Sequence, residues 1–250
     1  MKSKKRIVII GATSSIAEHC ARLWLRENPL EIVLFGRNKE KVDRVASDLK
    51  VRAPDTTITS ITGGFLDPAQ IQTLVDQIFI EGNVDIVLVA HGSLPDQEEC
   101  QQDLTLCREA LDVNGISPVL FAEAFAQQMQ KANSGTLAVI GSVAGDRGRK
   151  SNYVYGAAKG LVTRYVQGLQ HRLANTNVKV VLIKPGPTDT PMTAHLKQSG
   201  VKLAAVDRVA SEILRGIENG QRVVYTPKIW SVIMMVIRHL PYFVFRRMDI

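Results

Sequence analysis

A tyrosine and a lysine four residues apart, Tyr155 and Lys159, have the types and spacing of a proton-transfer pair. The segment around them predicts a helix, and residues four apart on a helix lie only about 40° apart around its axis. A phenol with a pKa near ~10 is a poor proton carrier at neutral pH, but a neighbouring ammonium favours the phenolate and lowers that pKa. We therefore expect Tyr155 to act as a general acid or base, with its pKa lowered by Lys159, which could also hydrogen-bond a cofactor hydroxyl.

Two further polar residues are candidates for the same site. Ser142 follows the apolar run Gly135–Ile140, which predicts a strand, and the loop after that strand would bring its hydroxyl to a carbonyl oxygen that Tyr155 also touches. Asn114 lies among apolar residues of a predicted long helix, Asp103–Gln130, and could line the site next to Lys159. An asparagine in mid-helix more often faces solvent or bonds locally. For Tyr155 and Lys159 taken alone, a chance pair on a surface helix is the alternative.

The first apolar run, Ile7–Ile10, predicts a buried parallel strand and ends in a turn of small residues, Gly11–Ala17, before a helix. Such a turn presents backbone N–H groups and a helix N-terminus to a pyrophosphate. Gly11 occupies the first glycine position of the dinucleotide-binding pattern, whereas Ser15 and Ala17 replace the second and third. A plain strand-to-helix turn is nearly as compatible. The predicted nucleotide contacts here are Gly11, Thr13, Ser14, Ser15 and Ile16.

The second predicted strand, Glu31–Phe35, ends in Gly36 and Arg37, where an acidic residue would bind the ribose 2′-hydroxyl of NAD(H). An arginine there can pair with a 2′-phosphate, so NADP(H) is favoured and NAD(H) is the alternative. The competing interpretation is a solvent-facing arginine at a helix start. His91 is expected only to line the site. Further cofactor contacts are expected at Asp67, Ala90, Gly92, Pro185, Gly186, Thr188 and Thr190, together with Tyr155 and Lys159.

Predicted strands and helices alternate along the chain. The remaining strands are Thr57–Thr62, Asp85–Ala90, Val178–Ile183 and Arg222–Thr226, and the remaining helices include Lys39–Leu49, Pro68–Phe79 and Asp207–Glu218. This alternation predicts an α/β fold, a Rossmann-like doubly wound parallel sheet of about seven strands with helices on both faces. We expect one domain over residues 1–250, which includes a mobile substrate lid at residues 189–205 and an apolar, basic C-terminal tail at residues 227–250.

Composition narrows the class of protein without choosing a ligand. The chain has 250 residues, and 45% hydrophobic and 22% charged content is ordinary for a globular domain with a large core. Three cysteines without metal-ligand spacing indicate reduced thiols, hence a cytoplasmic protein, and no metal site is expected. The net charge of +7 suits anionic ligands. The tail suits a membrane interface, and a terminal helix packed on the core or against another subunit is equally compatible.

Taken in order, Gly11–Ala17, Asn114, Ser142, Tyr155 with Lys159, and Pro185 with Gly186 make the sequence resemble the short-chain dehydrogenase/reductase family over essentially the whole chain. The resemblance implies a reductase that passes a hydride from a nicotinamide to a carbonyl carbon. It implies that Ser142 orients the carbonyl, Tyr155 delivers the proton, Lys159 tunes Tyr155 and binds ribose, and Asn114 supports a water relay. It also implies a homo-oligomer.

Within the family, four segments are similar to the branch that reduces decaprenylphosphoryl-2-keto-pentose: Arg147–Lys150, Tyr153–Gly156, Met192–Lys197 in the lid and Met234–Pro241 in the tail. That resemblance implies a polyprenyl-phosphate pentose substrate whose ketone a flavin-dependent oxidase supplies. The reduction would be the second half of a ribose-to-arabinose epimerisation in cell-envelope glycan precursor synthesis, at the inner face of the membrane. The candidate substrate contacts are Arg147, Arg149, Lys150 and His195, with the two arginines and Lys150 placed to hold a lipid phosphate. A solvated basic loop is the alternative.

Two other functions stay open at this point. One keeps the fold and the catalysis but takes a small soluble ketone or a 3-oxoacyl substrate. The other is a non-catalytic dinucleotide-binding sensor, which Ser15 and the Val89-Ala90-His91 replacement of the family's Asn-rich motif leave open. No feature of the sequence indicates nucleic-acid binding.

Overall fold

Seven parallel strands form one central sheet in the part of the chain that the structure describes. The structure is a computed structural model and describes residues 4–26, 30–194 and 200–248. The strand order across the sheet is β3-β2-β1-β4-β5-β6-β7. The strands are β1 (Lys5–Ile10), β2 (Leu30–Gly36), β3 (Thr57–Thr62), β4 (Ile86–Val89), β5 (Thr136–Ile140), β6 (Lys179–Pro185) and β7 (Val223–Thr226). The predicted single-domain, Rossmann-like α/β fold is confirmed.

Helices pack on both faces of the sheet. One face carries α1 (Ser15–Trp24), α2 (Lys39–Arg52) and α8 (Val206–Glu218), and the other carries α3 (Pro68–Ile80), α6 (Ser117–Ala132) and α7 (Tyr153–Arg172). Strand β1 is apolar from Ile7 to Ile10 because both of its faces are covered: Ile7 and Ile9 pack on the first layer, and Val8 and Ile10 pack on the second. The shorter helices are α4 (Gln97–Gln102), α5 (Leu104–Leu111), α9 (Ile229–His239) and α10 (Tyr242–Phe245).

The strand order reverses at β1, which lies between β2 and β4. The ends of these three strands are in register, because Ile10 pairs with both Phe35 and Val89. A crevice opens outside the carboxyl ends of parallel strands at such a reversal, and this is where open α/β sheets bind their ligands. The loops that follow β1, β4, β5 and β6 all meet at this edge, so the fold gathers the predicted site residues there.

The prediction of one long helix, Asp103–Gln130, is wrong about where the helix begins and about its being uninterrupted. Asp103 lies outside the helix and caps α5, because its side chain accepts a hydrogen bond from the Thr105 N–H. A π-helical turn, Asp112–Ile116, then separates α5 from α6. The sequence analysis also missed α4, which is too short and too polar to show a hydrophobic period. The π-helical turn contains Asn114, and such turns recur at functional sites.

Beyond β7, the tail forms α9 and α10 and packs against the domain through one side of α9. Met234 is 1% exposed, and the Trp230 side chain lies against Gly186. In the described residues no helix has the length and apolarity that crossing a membrane requires. Part of the predicted lid is described: the Asp189 N–H donates to Ala204 O, and Pro191–Thr193 form a 3₁₀ turn. The prediction of a mobile lid also covers residues 195–199, which lie outside the described residues.

Candidate active site

Ser142 and Tyr155 meet at the carboxyl edge of the sheet. Ser142 follows β5 and caps a 3₁₀ turn, Val143–Asp146, through a hydrogen bond from the Ala144 N–H to its Oγ (3.1 Å). The same hydroxyl hydrogen-bonds the Tyr155 side chain, which projects from the first turn of α7. The structure therefore brings the two predicted groups together, with both facing the same cleft.

Two glycines allow α7 to approach the Ser142 turn closely. A Cβ on Gly145 would lie 2.6 Å from the carbonyl oxygen of Lys159, and a Cβ on Gly156 would lie 3.0 Å from the carbonyl oxygen of Ala144. Both distances are shorter than ordinary contacts, so a larger residue at Gly145 would push the helix away. The spacing between Ser142 and Tyr155 thus depends on residues that carry no chemistry themselves.

Lys159 lies behind Tyr155, one helical turn further along α7, and is 3% exposed. Its Nζ donates to Ile140 O at 3.1 Å and lies 5.8 Å from the centroid of the Tyr155 ring. A Cβ on Gly92 would lie 3.6 Å from this Nζ, so the loop after β4 passes close to the ammonium. Burial lowers the pKa of Lys159 to about 8.

Asn114 lies fully buried in the π-helical turn and lines the cleft beside Lys159, as predicted. Its Oδ1 accepts from the Ser93 N–H at 2.8 Å, and its Nδ2 donates to Ala110 O at 2.9 Å. The local bond to Ala110 is the one expected of an asparagine in a helix. The bond to Ser93 fixes the loop after β4 to α5, which holds the backbone of Gly92 at the cleft.

The nucleotide side of the cleft is built around Gly11. Its φ of +83° is a left-handed conformation, and a Cβ there would lie 2.6 Å from the backbone nitrogen of His91. The next helix, α1, has no side chain bonded to its first N–H groups, although Ser14 stands at the capping position. Those N–H groups and the helix dipole suit a pyrophosphate. Thr13, Ser14, Ser15 and Ile16 line this part of the cleft, so a dinucleotide fits the residues present.

Arg37 lies at the far end of the nucleotide side, as predicted, and its guanidinium carbon is 5.6 Å from the centroid of the Phe65 ring. Lys41 lines the same end, and Asn38 fixes the start of α2 by accepting from the Lys41 N–H. Sequence analysis missed Lys41 and Phe65. The Gly36-Arg37 signal could have led to Lys41, which lies one helical turn further on.

The predicted cofactor contact at Asp67 needs correction, because the structure does not bring its carboxylate into the cleft. Its Oδ1 accepts from the Ala69 and Gln70 N–H groups at the start of α3, and its Oδ2 accepts from the Gln70 side chain. Both oxygens are therefore used in capping. Phe65, two residues earlier, reaches the cleft instead and stacks on His91 with ring centroids 4.4 Å apart. His91 also hydrogen-bonds Ser117, which agrees with its expected lining role.

The loop after β6 closes the cleft beside Ser142. Pro185, Gly186, Thr188 and Thr190 line it, as predicted, and the Thr188 hydroxyl donates to Gly186 O at 2.9 Å. Gly186 has no space for a side chain, since a Cβ would lie 2.0 Å from the Trp230 indole nitrogen. The tail therefore supports the loop from behind.

A buried charged cluster joins this loop to the Ser142 turn. Lys184, at the end of β6, pairs with Asp146, and both side chains are at most 3% exposed. The Tyr225 hydroxyl donates to the second carboxylate oxygen of Asp146 at 2.8 Å. Burial, followed by this hydrogen bond, raises the pKa of Tyr225 to about 12. Sequence analysis missed the cluster because its members come from three separate segments.

On the substrate side, the three basic residues predicted to bind a phosphate lie in three different places. The predicted substrate contact at Arg147 needs correction. Its guanidinium donates to Ile237 O and Leu240 O in the tail and lies 3.8 Å from the centroid of the Phe245 ring. Arg149 does line the cleft, next to Asn152. Lys150 lines a neighbouring depression with Asp96 and so lies outside the cleft. His195 lies outside the described residues.

Arg149 and Asn152 each present an unpaired polar atom near the catalytic groups. In the described part of the chain, Arg149 Nε and Asn152 Oδ1 are buried and have no hydrogen-bond partner. Burial lowers the pKa of the Arg149 guanidinium. The walls nearby are largely apolar and include Leu94, Val143 and Met192. Sequence analysis missed Asn152.

Residues 5–200 match the sequence profile described as short chain dehydrogenase. The chain belongs to the short-chain dehydrogenase/reductase family. It is 32% identical over 219 residues to an uncharacterized oxidoreductase of Staphylococcus aureus, across 88% of this chain and 93% of that protein. An uncharacterized oxidoreductase of Mycobacterium tuberculosis is 30% identical over 243 residues, 97% of this chain and 96% of that protein. A short-chain dehydrogenase from Burkholderia cenocepacia in complex with NADP has a similar fold, with a TM-score of 0.82 and 19% identity over 98% of this chain and 97% of that chain.

The protein is thus a short-chain oxidoreductase. One expectation about its proton carrier needs correction. We expected Lys159 to lower the pKa of Tyr155, but burial raises that pKa, and the hydrogen bond from Ser142 opposes the rise only in part. Lys159 is turned to Ile140 O, at 5.8 Å from the centre of the ring. Tyr155 is therefore a phenol that holds its proton at neutral pH, as a proton donor to a carbonyl requires.

The residues that the structure describes contain no group of three or more His, Cys, Asp or Glu side chains that could hold a metal ion. The three cysteines are free thiols: Cys20 and Cys100 are buried, and Cys107 is half-buried. Ser142 and Tyr155 both line the cleft and lie next to each other, so their hydroxyl groups could bind one carbonyl oxygen together. Two donors on that oxygen stabilise the negative charge that develops on it during reduction.

Proposed function

We propose that this oxidoreductase uses NADPH to reduce a ketone on a lipid-linked sugar phosphate, specifically the 2-keto group of a polyprenyl-phosphate pentose. Arg37 and Lys41 support the choice of NADPH, because two cations at the ribose end of the cleft suit a 2′-phosphate. The Burkholderia relative in complex with NADP agrees with this choice. NADH is the alternative, and titrating the two reduced dinucleotides side by side tests it.

When bound, the dinucleotide would supply a hydride to the carbonyl carbon. The chain's own residues hold the ketone and provide the proton. Ser142 Oγ and the Tyr155 hydroxyl would hydrogen-bond the carbonyl oxygen, and Tyr155 would give that oxygen its proton. The Lys159 ammonium would stabilise the phenolate that remains, and Asn114 holds the loop that carries Gly92 in place.

Arg149 is the single observation that supports a phosphorylated substrate. It is a guanidinium in a largely apolar cleft, and its buried Nε has no partner among the described residues. A buried N–H group without a partner is costly, and a phosphate oxygen would satisfy the Arg149 Nε with a charge-assisted hydrogen bond. The apolar wall beside it suits a prenyl chain. Because Arg147 is committed to the tail, the phosphate in this proposal is bound by Arg149 and not by the pair of arginines.

The decisive experiment is reduction of a polyprenyl-phosphate 2-keto-pentose. Purified protein should oxidise NADPH in proportion to the ketone added, and the lipid-linked arabinose epimer should be recovered. No oxidation of NADPH or NADH with this lipid would reject the proposed substrate. Activity on a small soluble ketone or a 3-oxoacyl substrate in the same preparation would then favour that alternative, which keeps the same catalytic residues.

A lipid-linked ketone also implies a supply step. The ketone must come from oxidation of the corresponding alcohol, and a flavin-dependent oxidase is the proposed partner for that step. The substrate would be met at a membrane, so peripheral membrane contact is part of the proposal. Coupling the purified protein to such an oxidase, with the lipid-linked ribose as the starting compound, should give the arabinose epimer only when both proteins are present.

A further inference from the structure

The tail presents an exposed apolar surface that the domain leaves uncovered. We define the tail face as Ile229, Val232, Met235, Val236, Tyr242 and Phe243, whose exposed fractions lie between 52% and 73%. On α9, Val232 lies three residues after Ile229, and Met235 and Val236 lie three and four residues after Val232, so the four side chains form one stripe. The opposite side of the same helix buries Met234, which is why the stripe cannot turn inward.

The tail is held in this orientation by contacts with both catalytic loops. The Trp230 indole lies against Gly186, in the loop after β6. Arg147, which ends the Ser142 turn, donates to Ile237 O and Leu240 O and packs on the Phe245 ring. The carbonyl groups at the end of α9 are therefore satisfied by a cation from the catalytic loop. The tail face is thus a fixed surface, adjacent to the loops that form the cleft.

Charge around the tail face is mostly positive. The sequence from 219 to 250 contains one acidic residue, Asp249, whereas Lys228, Arg238, Arg246 and Arg247 are exposed there. A second copy of this chain would bring its own cations against these arginines if the two faces met by symmetry. A surface of anionic headgroups would complement them instead.

We propose that the tail face docks this protein on an anionic lipid bilayer. Tyr242 and Phe243 would enter the interface at the level of the headgroups, with the stripe of α9 beside them and the arginines on lipid phosphates. Amphipathic helices of this type bury their apolar side in the boundary between headgroups and acyl chains. The tail face would thus be the surface that brings the protein to the membrane containing its lipid-linked substrate, and this purpose rests on the proposed function. The binding itself does not require that substrate.

Sedimentation with vesicles tests the docking directly. The full-length protein should bind vesicles of phosphatidylglycerol and phosphatidylcholine, bind pure phosphatidylcholine weakly, and lose binding as salt is raised. The double variant Met235→Ser/Phe243→Ser should bind the anionic vesicles at least about tenfold more weakly, since two large apolar side chains no longer enter the interface. The matched control is Ile80→Ser, a change to an 84% exposed residue on α3, and it should bind like the wild type.

The arginines need their own comparison. Arg246→Gln/Arg247→Gln should weaken binding to anionic vesicles by about fivefold per charge and leave weak binding to phosphatidylcholine unchanged. The matched control is Arg108→Gln, whose side chain is 85% exposed on α5. Equal losses in both variants would show a general charge effect and would overturn a specific role for the tail.

Two results would overturn the proposal. One is that wild-type protein fails to sediment with anionic vesicles at low salt. The other is that Met235→Ser/Phe243→Ser halves the mass of the particle in solution and does not alter vesicle binding, which would make the tail face a contact between copies of this chain. Failure of this proposal and failure of the proposed function can be told apart. Vesicle binding is measured without the lipid-linked sugar, so it can succeed where reduction of that sugar fails, and reduction of a soluble ketone by every variant would show that the variants are folded and active.

Discussion

The nucleotide side and the substrate side of the cleft are built on different principles. The nucleotide side relies on backbone: Gly11 and Gly92 bring main chain close to the cleft, and the start of α1 offers its free N–H groups. The substrate side relies on side chains, of which Arg149 and Asn152 keep unpaired polar atoms. Backbone can serve one cofactor common to many enzymes, whereas side chains can be exchanged to suit one substrate. Specificity should therefore reside in the second side.

The largest expected effect lies at the border between the two sides. Tyr155→Phe removes the proton donor and leaves the ring in place, so turnover of a ketone should fall by about 10²- to 10⁴-fold. Binding of NADPH should change little, because the nucleotide contacts of the first turn are intact. Steady-state reduction and fluorescence titration of NADPH measure the two quantities. An unchanged rate would remove Tyr155 from catalysis, whereas NADPH binding without turnover of any ketone in the wild type would favour the sensor interpretation.

Lys184→Met tests the joint between the two sides. It leaves the Asp146 carboxylate buried without its cation, and breaking such a pair costs about 3–5 kcal/mol. We expect a lower free energy of unfolding in urea and a lower kcat, since the Ser142 turn and the loop after β6 lose their common anchor. The double variant Lys184→Met/Asp146→Leu, which removes both charges, should recover part of the stability. Equal stability of the single variant and the wild type would contradict a structural role for this pair.

Gly11→Ala breaks the nucleotide side alone. The added Cβ would meet the His91 backbone at 2.6 Å, and the φ of +83° is strained for alanine, so we expect a loss of about 1–3 kcal/mol. NADPH affinity should fall with it. Gly168→Ala is the matched control, because Gly168 lies within α7 and a Cβ there would have no atom within 4 Å. This substitution should leave the free energy of unfolding unchanged or raise it. Similar losses of stability in the two variants would contradict the close approach at Gly11.

A smaller effect is expected from pH. Burial puts the pKa of Lys159 at about 8, so the ammonium is present below that pH and is lost above it, while Tyr155 keeps its proton over the same range. The reduction rate should fall as pH rises through about 8, because the phenolate left on Tyr155 loses its neighbouring cation. Initial rates at saturating substrates measure this. In Lys159→Met the rate should be low at every pH; a wild-type rate that stays flat to strongly alkaline pH would contradict the assignment.

Sequence reasoning reached the parts of the site that local patterns determine. The pairing of Tyr155 with Lys159 follows from helical spacing, and the turn at Gly11 follows from a strand, small residues and a helix. Long-range contacts could not be predicted in this way: Arg147 is bound by tail carbonyls about ninety positions later, and Lys184 meets Asp146 and Tyr225 from separate segments. The pKa shift of Tyr155 was predicted in the wrong direction because burial raises that pKa more than the hydrogen bond with Ser142 lowers it, and burial is a property of the fold.

The central claim is that Arg149 selects a phosphorylated ketone, and one ratio tests it most directly. This is kcat/KM for a 2-keto-pentose that carries a prenyl phosphate, divided by kcat/KM for the same keto sugar without phosphate. In Arg149→Gln this ratio should fall by about tenfold to a hundredfold, as the loss of one charge-assisted hydrogen bond predicts. The fall should come from a lower kcat/KM for the phosphorylated substrate, while kcat/KM for the sugar without phosphate stays the same. If the ratio is the same in the variant and the wild type, Arg149 does not recognise phosphate, and the proposed substrate loses its physical basis.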